Sequence, residues 1–273
     1  MKPKYSIVLT IHNKQSILEE VLNRIYEYSS GNFELVFVLD GCTDESEDIL
    51  MDFIRRHANN GVFTKVVYTD DVFETKANNA GLKKCSGEYS IIVQDDMFID
   101  EAGWNENLCE PFKFEDVFAV SGRCAHNWIV NEDSKDIKET ETDLNRWSDA
   151  LIHVDHAKHD NSFKGTFYIR DSVNRGPLAI KTEDLKKLGY FDEIFAPQDS
   201  DDHDLMFRAK RELGKICGYY KIDWFSRPEY GGTRDENGVT KRWMLAANQK
   251  NAKILLKRHG NFFKRTIQQR KIK

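Results

Sequence analysis

Three features of the sequence predict an α/β fold with a mostly parallel central sheet flanked by helices. Strand-like and helix-like segments alternate through residues 1–100. The strand-like segments are continuous apolar runs, as expected of strands buried on both faces. The residues that end three of them are polar, and open parallel sheets bind their ligands outside those ends.

Tyr5–Ile11 is the first run. Ser16-x-x-Glu19 reads as a capping box, and Ile17, Leu18, Val21, Leu22, Ile25 and Tyr26 repeat behind it at helical spacing. Phe33–Leu39 is a second buried strand. Asp44-x-x-Glu47 opens a second helix, with Ile49, Leu50, Phe53 and Ile54 as its inward stripe. Lys65–Tyr68 reads as a short third strand and Glu74–Lys84 as a helix. Gly87 then turns the chain into a fourth strand, Tyr89–Val93. Such alternation implies parallel βαβ units with right-handed crossovers.

The second half is less regular. Phe118–Ser121 reads as a strand, and 131–161 as a polar insertion without periodicity. Gly176–Ile180 resumes an apolar segment, and Thr182 caps a short helix ending at Gly189. Asp201–Leu213 is a helix with Leu205, Met206, Ala209 and Leu213 inward, and Trp243–Arg258 a terminal helix. No repeat, low-complexity tract or Pro/Gly/Ser linker divides the chain, so residues 1–273 are expected to form a single domain.

Composition narrows the function. Of 273 residues, 40% are hydrophobic and 31% charged, an ordinary globular balance. The net charge of −5 is unlike a nucleic-acid binder, which needs a basic face. The five cysteines, Cys42, Cys85, Cys109, Cys124 and Cys217, are odd in number and hold no C-x-x-C pair. That argues against a disulfide framework or structural zinc and fits a reducing compartment. The apolar run Ile7–Ile11 is too short for a signal segment, and no stretch approaches ~18 apolar residues. A cytoplasmic protein is expected. Lys264, Arg265, Arg270, Lys271 and Lys273 make the C-terminus basic. A solvated tail is the simpler reading of that cluster, and a peripheral membrane contact the other.

Three acidic clusters carry the candidate chemistry. Asp95-Asp96 follows a buried strand, where adjacent carboxylates repel unless a cation or hydrogen bonds compensate. Hard oxygen ligands of this kind suit Mg2+ or Mn2+. Asp40-Gly41-Cys42-Thr43-Asp44 ends the second strand and leads into a helix N-terminus, an available anion site. Asp199-Ser200-Asp201-Asp202-His203-Asp204 crowds more carboxylates than a helix cap needs, and their repulsion favours a usable general base.

In this order and spacing, the three clusters resemble the inverting family 2 glycosyltransferases, which have the GT-A (Rossmann-like) fold. The resemblance covers Tyr5 to Leu213. Ser6–Asn13 looks like the family's first strand and nucleotide-contacting turn, with Thr10 where the family usually has Pro and His12 where it has Tyr. Leu39-Asp40-Gly41-Cys42-Thr43-Asp44 is similar to the family's Asp-Asp-Gly-Ser-Thr-Asp. Asn79-x-Gly81 and Gly87-Glu88-Tyr89 match the approach to the metal motif. Gln94-Asp95-Asp96 falls on D-x-D, with Gln94 in place of its first Asp. Asp201-Asp202-His203-Asp204-Leu205 looks like Glu-Asp-x-Asp-Leu.

The resemblance implies transfer of a sugar from a nucleoside diphosphate sugar, most simply a UDP-sugar, to a carbohydrate or glycoconjugate acceptor with inversion. It implies Asp202 as base, Asp96 as the ligand of Mn2+ or Mg2+, and Thr10, His12, Asn13, Asp40, Lys76 and Asp95 at the nucleotide. Arg175, Gly176 and Asp201 fall where the family contacts donor or acceptor. Residues 1–100 would then be the nucleotide-binding half, 101–235 the acceptor half, and 236–273 a helix and basic tail. A third metal ligand is often a histidine, for which His126, His153, His156 and His259 are candidates. Trp224, Tyr230 and Gly231-Gly232 read as core beside a turn or as acceptor cleft.

Two competing readings remain. A nucleotidyltransferase usually has a Gly-rich, basic loop after its first strand, and Ile11-His12-Asn13-Lys14 has no glycine. A degenerate glycosyltransferase fold, serving as scaffold or nucleotide-sugar sensor, is motivated by Leu39 and Gln94. The retention of both Asp96 and Asp202 argues for catalysis.

Overall fold

The computed structural model describes residues 2–128, 148–152, 164–227, 230–231, 242–260 and 268–272. The first half alternates as its periodicity dictates: β1 (Tyr5–Ile11), α1 (Leu18–Tyr28), β2 (Phe33–Asp40), α2 (Ser46–His57), β3 (Phe63–Thr69), α3 (Phe73–Leu82) and β4 (Tyr89–Gln94). Then follow β5 (Met97–Ile99), α4 (Trp104–Cys109), β6 (Val117–Ser121), β7 (Cys124–Trp128), β8 (Ser148–Ile152), β9 (Thr166–Arg170), β10 (Ser172–Asn174) and β11 (Leu178–Lys181). The chain ends with α5 (Thr182–Lys187), α6 (Asp201–Leu213), β12 (Ile216–Tyr219), β13 (Trp224–Ser226), α7 (Arg242–His259) and β14 (Gln268–Lys271).

A nine-stranded sheet runs in the order β14-β9-β12-β6-β11-β4-β1-β2-β3. β1, β2, β3 and β4 are mutually parallel, and β11 and β9 run against the other strands. Tyr5–Leu9 and Leu35–Asp40 are buried throughout, which explains their unbroken apolar or enclosed pattern. Helices cover both faces. The α1 stripe of Leu18, Val21, Leu22 and Ile25 is fully buried, and each such side chain contributes about 1.5–3 kcal/mol. Trp224 and Tyr230 pack with this same apolar cluster, and Trp224 Nε1 donates to the Gly122 carbonyl at 3.0 Å. Gly232 lies outside the described residues.

Register and direction place the site. Thr10 lies opposite Gln94, and Ile11 opposite Leu39, so β1, β2 and β4 end at one edge. Antiparallel β11 starts where β4 finishes, with Leu178 opposite Ile92. That brings the β10–β11 turn to the same edge. β7 pairs with β10 and β8 in a separate three-stranded sheet, and β5 with β13 in a two-stranded one.

Several local expectations are corrected. Ser16 does not cap α1: the helix starts after Ile17 with no side-chain cap, entered by a turn in which the Leu18 N–H donates to the Lys14 carbonyl at 2.9 Å. Nor does Asp44 serve as the N-cap of α2. It joins two loops by accepting from Gln15 N–H and Ser46 N–H, each at 3.0 Å. The insertion at 131–161 contains β8, and its other residues lie outside those described. Part of the basic C-terminus is not a solvated tail. Residues 268–271 add an edge strand to β9, and Arg270 makes two 2.7 Å bonds to the Asp116 carboxylate. Lys264, Arg265 and Lys273 lie outside the described residues. No helix among those described is long and apolar enough to cross a membrane.

Candidate active site at the carboxyl edge of the sheet

At the β1 end, Thr10 Oγ1 donates to Asn78 Oδ1 at 3.2 Å, which ties the strand to α3. The His12 backbone N–H donates to Asp95 Oδ2 at 3.0 Å, and its ring Nδ1 lies 2.6 Å from the Asp40 carbonyl oxygen. A carbonyl only accepts, so Nδ1 carries the proton. Asn13 takes a left-handed φ of 50° and its Oδ1 accepts from Thr43 N–H at 2.8 Å, bridging the turns after β1 and β2.

Asp40 is buried, and its carboxylate accepts from Thr69 Oγ1 at 2.7 Å, Val72 N–H at 2.8 Å and Phe73 N–H at 2.9 Å. It thereby organises the β3–α3 loop. Gly41 must be glycine there: its φ is 59°, and a Cβ would stand 2.7 Å from the Asp71 backbone nitrogen.

At the end of β4, Gln94 bridges two charged groups. Its Nε2 donates to Glu74 Oε1 at 2.8 Å, and its Oε1 accepts from Arg123 Nη1 at 2.6 Å. Asp95 faces buried Lys14, whose Nζ lies 3.6 Å from its Oδ2. Burial raises the Asp95 carboxyl to about 6, with Lys14 opposing and Asp96 adding to the rise. Burial also raises Asp96, while Arg123 and Lys14 pull it down. No other described residue donates a hydrogen bond to the Asp96 side chain. A half-buried carboxylate bonded only by its own backbone N–H, beside Asp95 and Glu74, can offer a hard oxygen ligand to a divalent cation.

The turn Asn174-Arg175-Gly176 meets the start of α6. Gly176 has φ 80° and passes so close to Gln94 that any Cβ would collide with that side chain. Arg175 is 4% exposed and its Nη2 donates to Asp201 Oδ1. Its Nε lies 3.6 Å from Glu74 Oε1 and 4.0 Å from Asp202 Oδ2. Asp202 Oδ2 accepts from Asn174 Nδ2 and Arg175 N–H, both at 3.2 Å, and Oδ1 from His203 N–H at 2.8 Å. A carboxylate has about four acceptor positions, so capacity remains for one more donor.

The two adjacent acids are pushed apart electrostatically. Burial raises Asp201 to about 6 against the Arg175 charge. Burial also acts upward on Asp202, but the His203 ring, Arg175 and two backbone N–H groups outweigh it and hold this carboxyl below the usual range. Asp202 is therefore the more readily ionised of the two, and the repulsion expected to raise the base acts on Asp201 and Asp199 instead. Asp199, with φ 76°, is raised to about 7 by burial and by the charges of Asp202 and Asp201. Asp204 points away, bonded to Arg208 at 2.7 Å and His259 at 2.8 Å.

Thus Thr10, His12, Asn13, Asp40, Asp95, Asp96, Arg175 and Gly176 stand on the strand ends and turns of one sheet edge, and Asp201 and Asp202 on the start of α6 that meets it. Lys76 is on the exposed side of α3 and pairs with none of them. His259 holds Asp204, and His126 Nε2 faces Asn174 Oδ1 at 2.5 Å. His153 and His156 lie outside the described residues. His12, Asp40 and Asp71 also cluster; Nδ1 of His12 and Oδ1 of Asp40 are engaged in the bonds above, while Asp40 Oδ2 accepts one bond and keeps a free acceptor position. Lys14, Glu74 and Arg123 were not legible as site residues. Glu74 reads as an ordinary first-turn acid, and Arg123 follows a strand with no motif around it.

Comparison with known proteins bears on the fold and the family. An uncharacterized glycosyltransferase, EpsJ of Bacillus subtilis (strain 168), is 26% identical over 102 residues, 37% of this chain and 28% of that protein. The minor teichoic acid biosynthesis protein GgaB of the same organism is 29% identical over 110 residues, 40% of this chain and 12% of that protein. The chain therefore matches less than a third of the length of either relative. Glucosyl-3-phosphoglycerate synthase from Mycobacterium tuberculosis, solved with Mg2+ and UDP, superposes with a TM-score of 0.58 at 16% identity, covering 95% of this chain and 80% of that one. A mannosyltransferase from Pyrobaculum calidifontis, solved with GDP-Man and Mn2+, gives a TM-score of 0.56 at 17% identity, covering 82% and 56%. These likenesses show the GT-A fold. The sequence model of glycosyl transferase family 2 matches residues 6–176, and with the strand ends, turn and helix start described above this chain belongs to that family.

Proposed function

We propose that the chain transfers a sugar from a nucleoside diphosphate sugar, preferentially a uridine one, to a hydroxyl of a carbohydrate or glycoconjugate acceptor, with inversion, in polysaccharide or glycoconjugate synthesis. The observation that carries this reading is Asp202. It is a buried carboxylate fixed by three hydrogen bonds and left with room for one more donor. A fixed, ionised acceptor of this kind suits the removal of a hydroxyl proton as the oxygen becomes a nucleophile.

In the reaction, the acceptor O–H proton passes to Asp202 as that oxygen bonds to the anomeric carbon. The bond from that carbon to the diphosphate oxygen breaks, and its electron pair leaves with the nucleoside diphosphate. Attack from the face opposite the leaving group inverts the centre. Asp96 would hold Mn2+ or Mg2+, which when bound supplies positive charge for the diphosphate. His12, Asn13, Asp40 and Asp95 shape the nucleotide side, and buried Arg175 adds fixed positive charge beside Asp201 and Asp202. Lys76, exposed on α3, is assigned to the diphosphate as a flexible cation.

The test is release of nucleoside diphosphate from a panel of nucleotide sugars with Mn2+ or Mg2+. Turnover of a uridine donor, abolished by Asp202→Asn, is expected. No turnover of any donor, with wild type and Asp202→Asn alike, would favour the scaffold or sensor reading.

A further inference from the structure

We propose that His126 is a positioning residue for Asp202, acting through the side-chain amide of Asn174. This rests on the reading of Asp202 as the base. In the β7–β10 pair, His126 lies opposite Ser172 and Cys124 opposite Asn174. Residues two apart share a strand face, so these four polar side chains form one patch against the start of α6.

The hydrogen-bond roles along this patch follow from one another. An ionised Asp202 can only accept, so Asn174 presents its Nδ2 to Asp202 Oδ2 at 3.2 Å. Asn174 Oδ1 then faces His126 Nε2 at 2.5 Å. An amide oxygen can only accept, so Nε2 of His126 carries the proton. Burial favours the neutral ring, with Asn174 and Asp202 opposing. Cys124 Sγ, 3.1 Å from Nε2, sits on the same side. His203 stands edge-on to His126, ring centroids 5.1 Å apart, with its Nδ1 2.9 Å from Ser172 Oγ. The imidazole thus holds the amide by its oxygen in the orientation that the ionised carboxylate requires. Without it Asn174 keeps one of these two partners, and its Nδ2 is held less firmly against Asp202 Oδ2.

Other charged or titratable groups act on Asp202 too: Arg175 from the β10–β11 turn, His203 on α6, and Asp199 and Asp201 at the α6 start. Glu74 from α3 acts through Arg175. Loss of the Asn174 donor removes one stabilising bond from this set and moves the Asp202 pKa upward.

The first measurement needs no activity. Long-range 1H–15N spectra of histidine-labelled protein at neutral pH, with His126→Gln assigning the resonance, should show a neutral ring protonated on Nε2. An Nδ1-protonated or cationic His126 overturns the proposal. The second compares variants by nucleoside diphosphate release. His126→Leu should lose roughly 10- to 100-fold in kcat, keep its donor KM, and move the acidic limb of the pH profile upward. His126→Gln, whose amide N–H can replace Nε2–H, should recover most of the rate. If Asp202→Asn is inactive while His126→Leu retains the wild-type kcat and pH limb, the positioning role is wrong and the base assignment stands. Should Asp202→Asn remain active, the base assignment fails, whatever the His126 tautomer.

Discussion

Asp40 Oδ2 accepts a hydrogen bond from the backbone N–H of Phe73 at 2.9 Å, across 33 residues of chain. Phe73 has a left-handed φ of 63°, and its ring meets Trp243 edge-on at 5.0 Å between centroids. One carboxylate at the end of β2 thus sets the loop that starts α3 and, through Phe73, touches α7.

Asp40→Ala should therefore destabilise as well as weaken donor binding. It leaves the N–H groups of Val72 and Phe73 without their acceptor, at a cost of about 2–3 kcal/mol. Urea unfolding and the donor KM check this. A variant with wild-type stability and unchanged KM would remove Asp40 from both roles.

Asp96→Ala should abolish the dependence of nucleoside diphosphate binding on Mn2+. The motive is a half-buried carboxylate that receives no hydrogen bond from another described residue. Titration calorimetry with and without the ion measures it, and equal affinity of variant and wild type in Mn2+ contradicts the metal assignment. Gln94→Ala should do less to metal binding. Its amide holds Glu74 and Arg123 in place, so an added effect on stability is expected.

Asp199 supplies a pH test. Its folded pKa of about 7 lies above the ordinary carboxylate value. Stability linked to this group is complete below about pH 4 and lost as pH rises through 7. Asp199→Asn should thus melt higher than wild type at about pH 8, by about 1–2 kcal/mol after allowance for its partial exposure. Below about pH 4 the two should almost coincide, with the difference growing between about pH 4 and 7. Equal differences at both pH values would show that Asp199 is not raised.

The parallel half of the fold is legible because β1, β2 and β4 are enclosed on both faces, and such strands read as apolar runs. α6 matches its expected span, Asp201–Leu213, because its inward stripe and acidic start agree. β7, β9, β10 and β14 are less legible. They are short, polar-faced strands whose partners lie far away in sequence, so local pattern says little about them. Capping at Ser16, Asp44 and Thr182 failed for a related reason, Thr182 Oγ1 pairing with Ser90 Oγ on β4 instead. Asp44 is drawn to Gln15 N–H across the turn after β1, a tertiary contact that local propensity does not contain. Within the site, acids grouped in motifs were visible. Lys14, Glu74 and Arg123 were not, because each becomes a site residue only when distant strand ends meet.

The central claim concerns which acid in Asp201-Asp202-His203-Asp204 acts as base. Asp202 points to the β10–β11 turn, while Asp204 is held by Arg208 and His259. The direct measurement is kcat for sugar transfer by Asp202→Asn and Asp204→Asn, with a melting curve for each. Asp202→Asn should remain folded, bind donor normally and transfer at least ~100-fold more slowly, whereas Asp204→Asn should mainly lose stability. Near-wild-type transfer by Asp202→Asn, with an inactive but stable Asp204→Asn, would contradict the account.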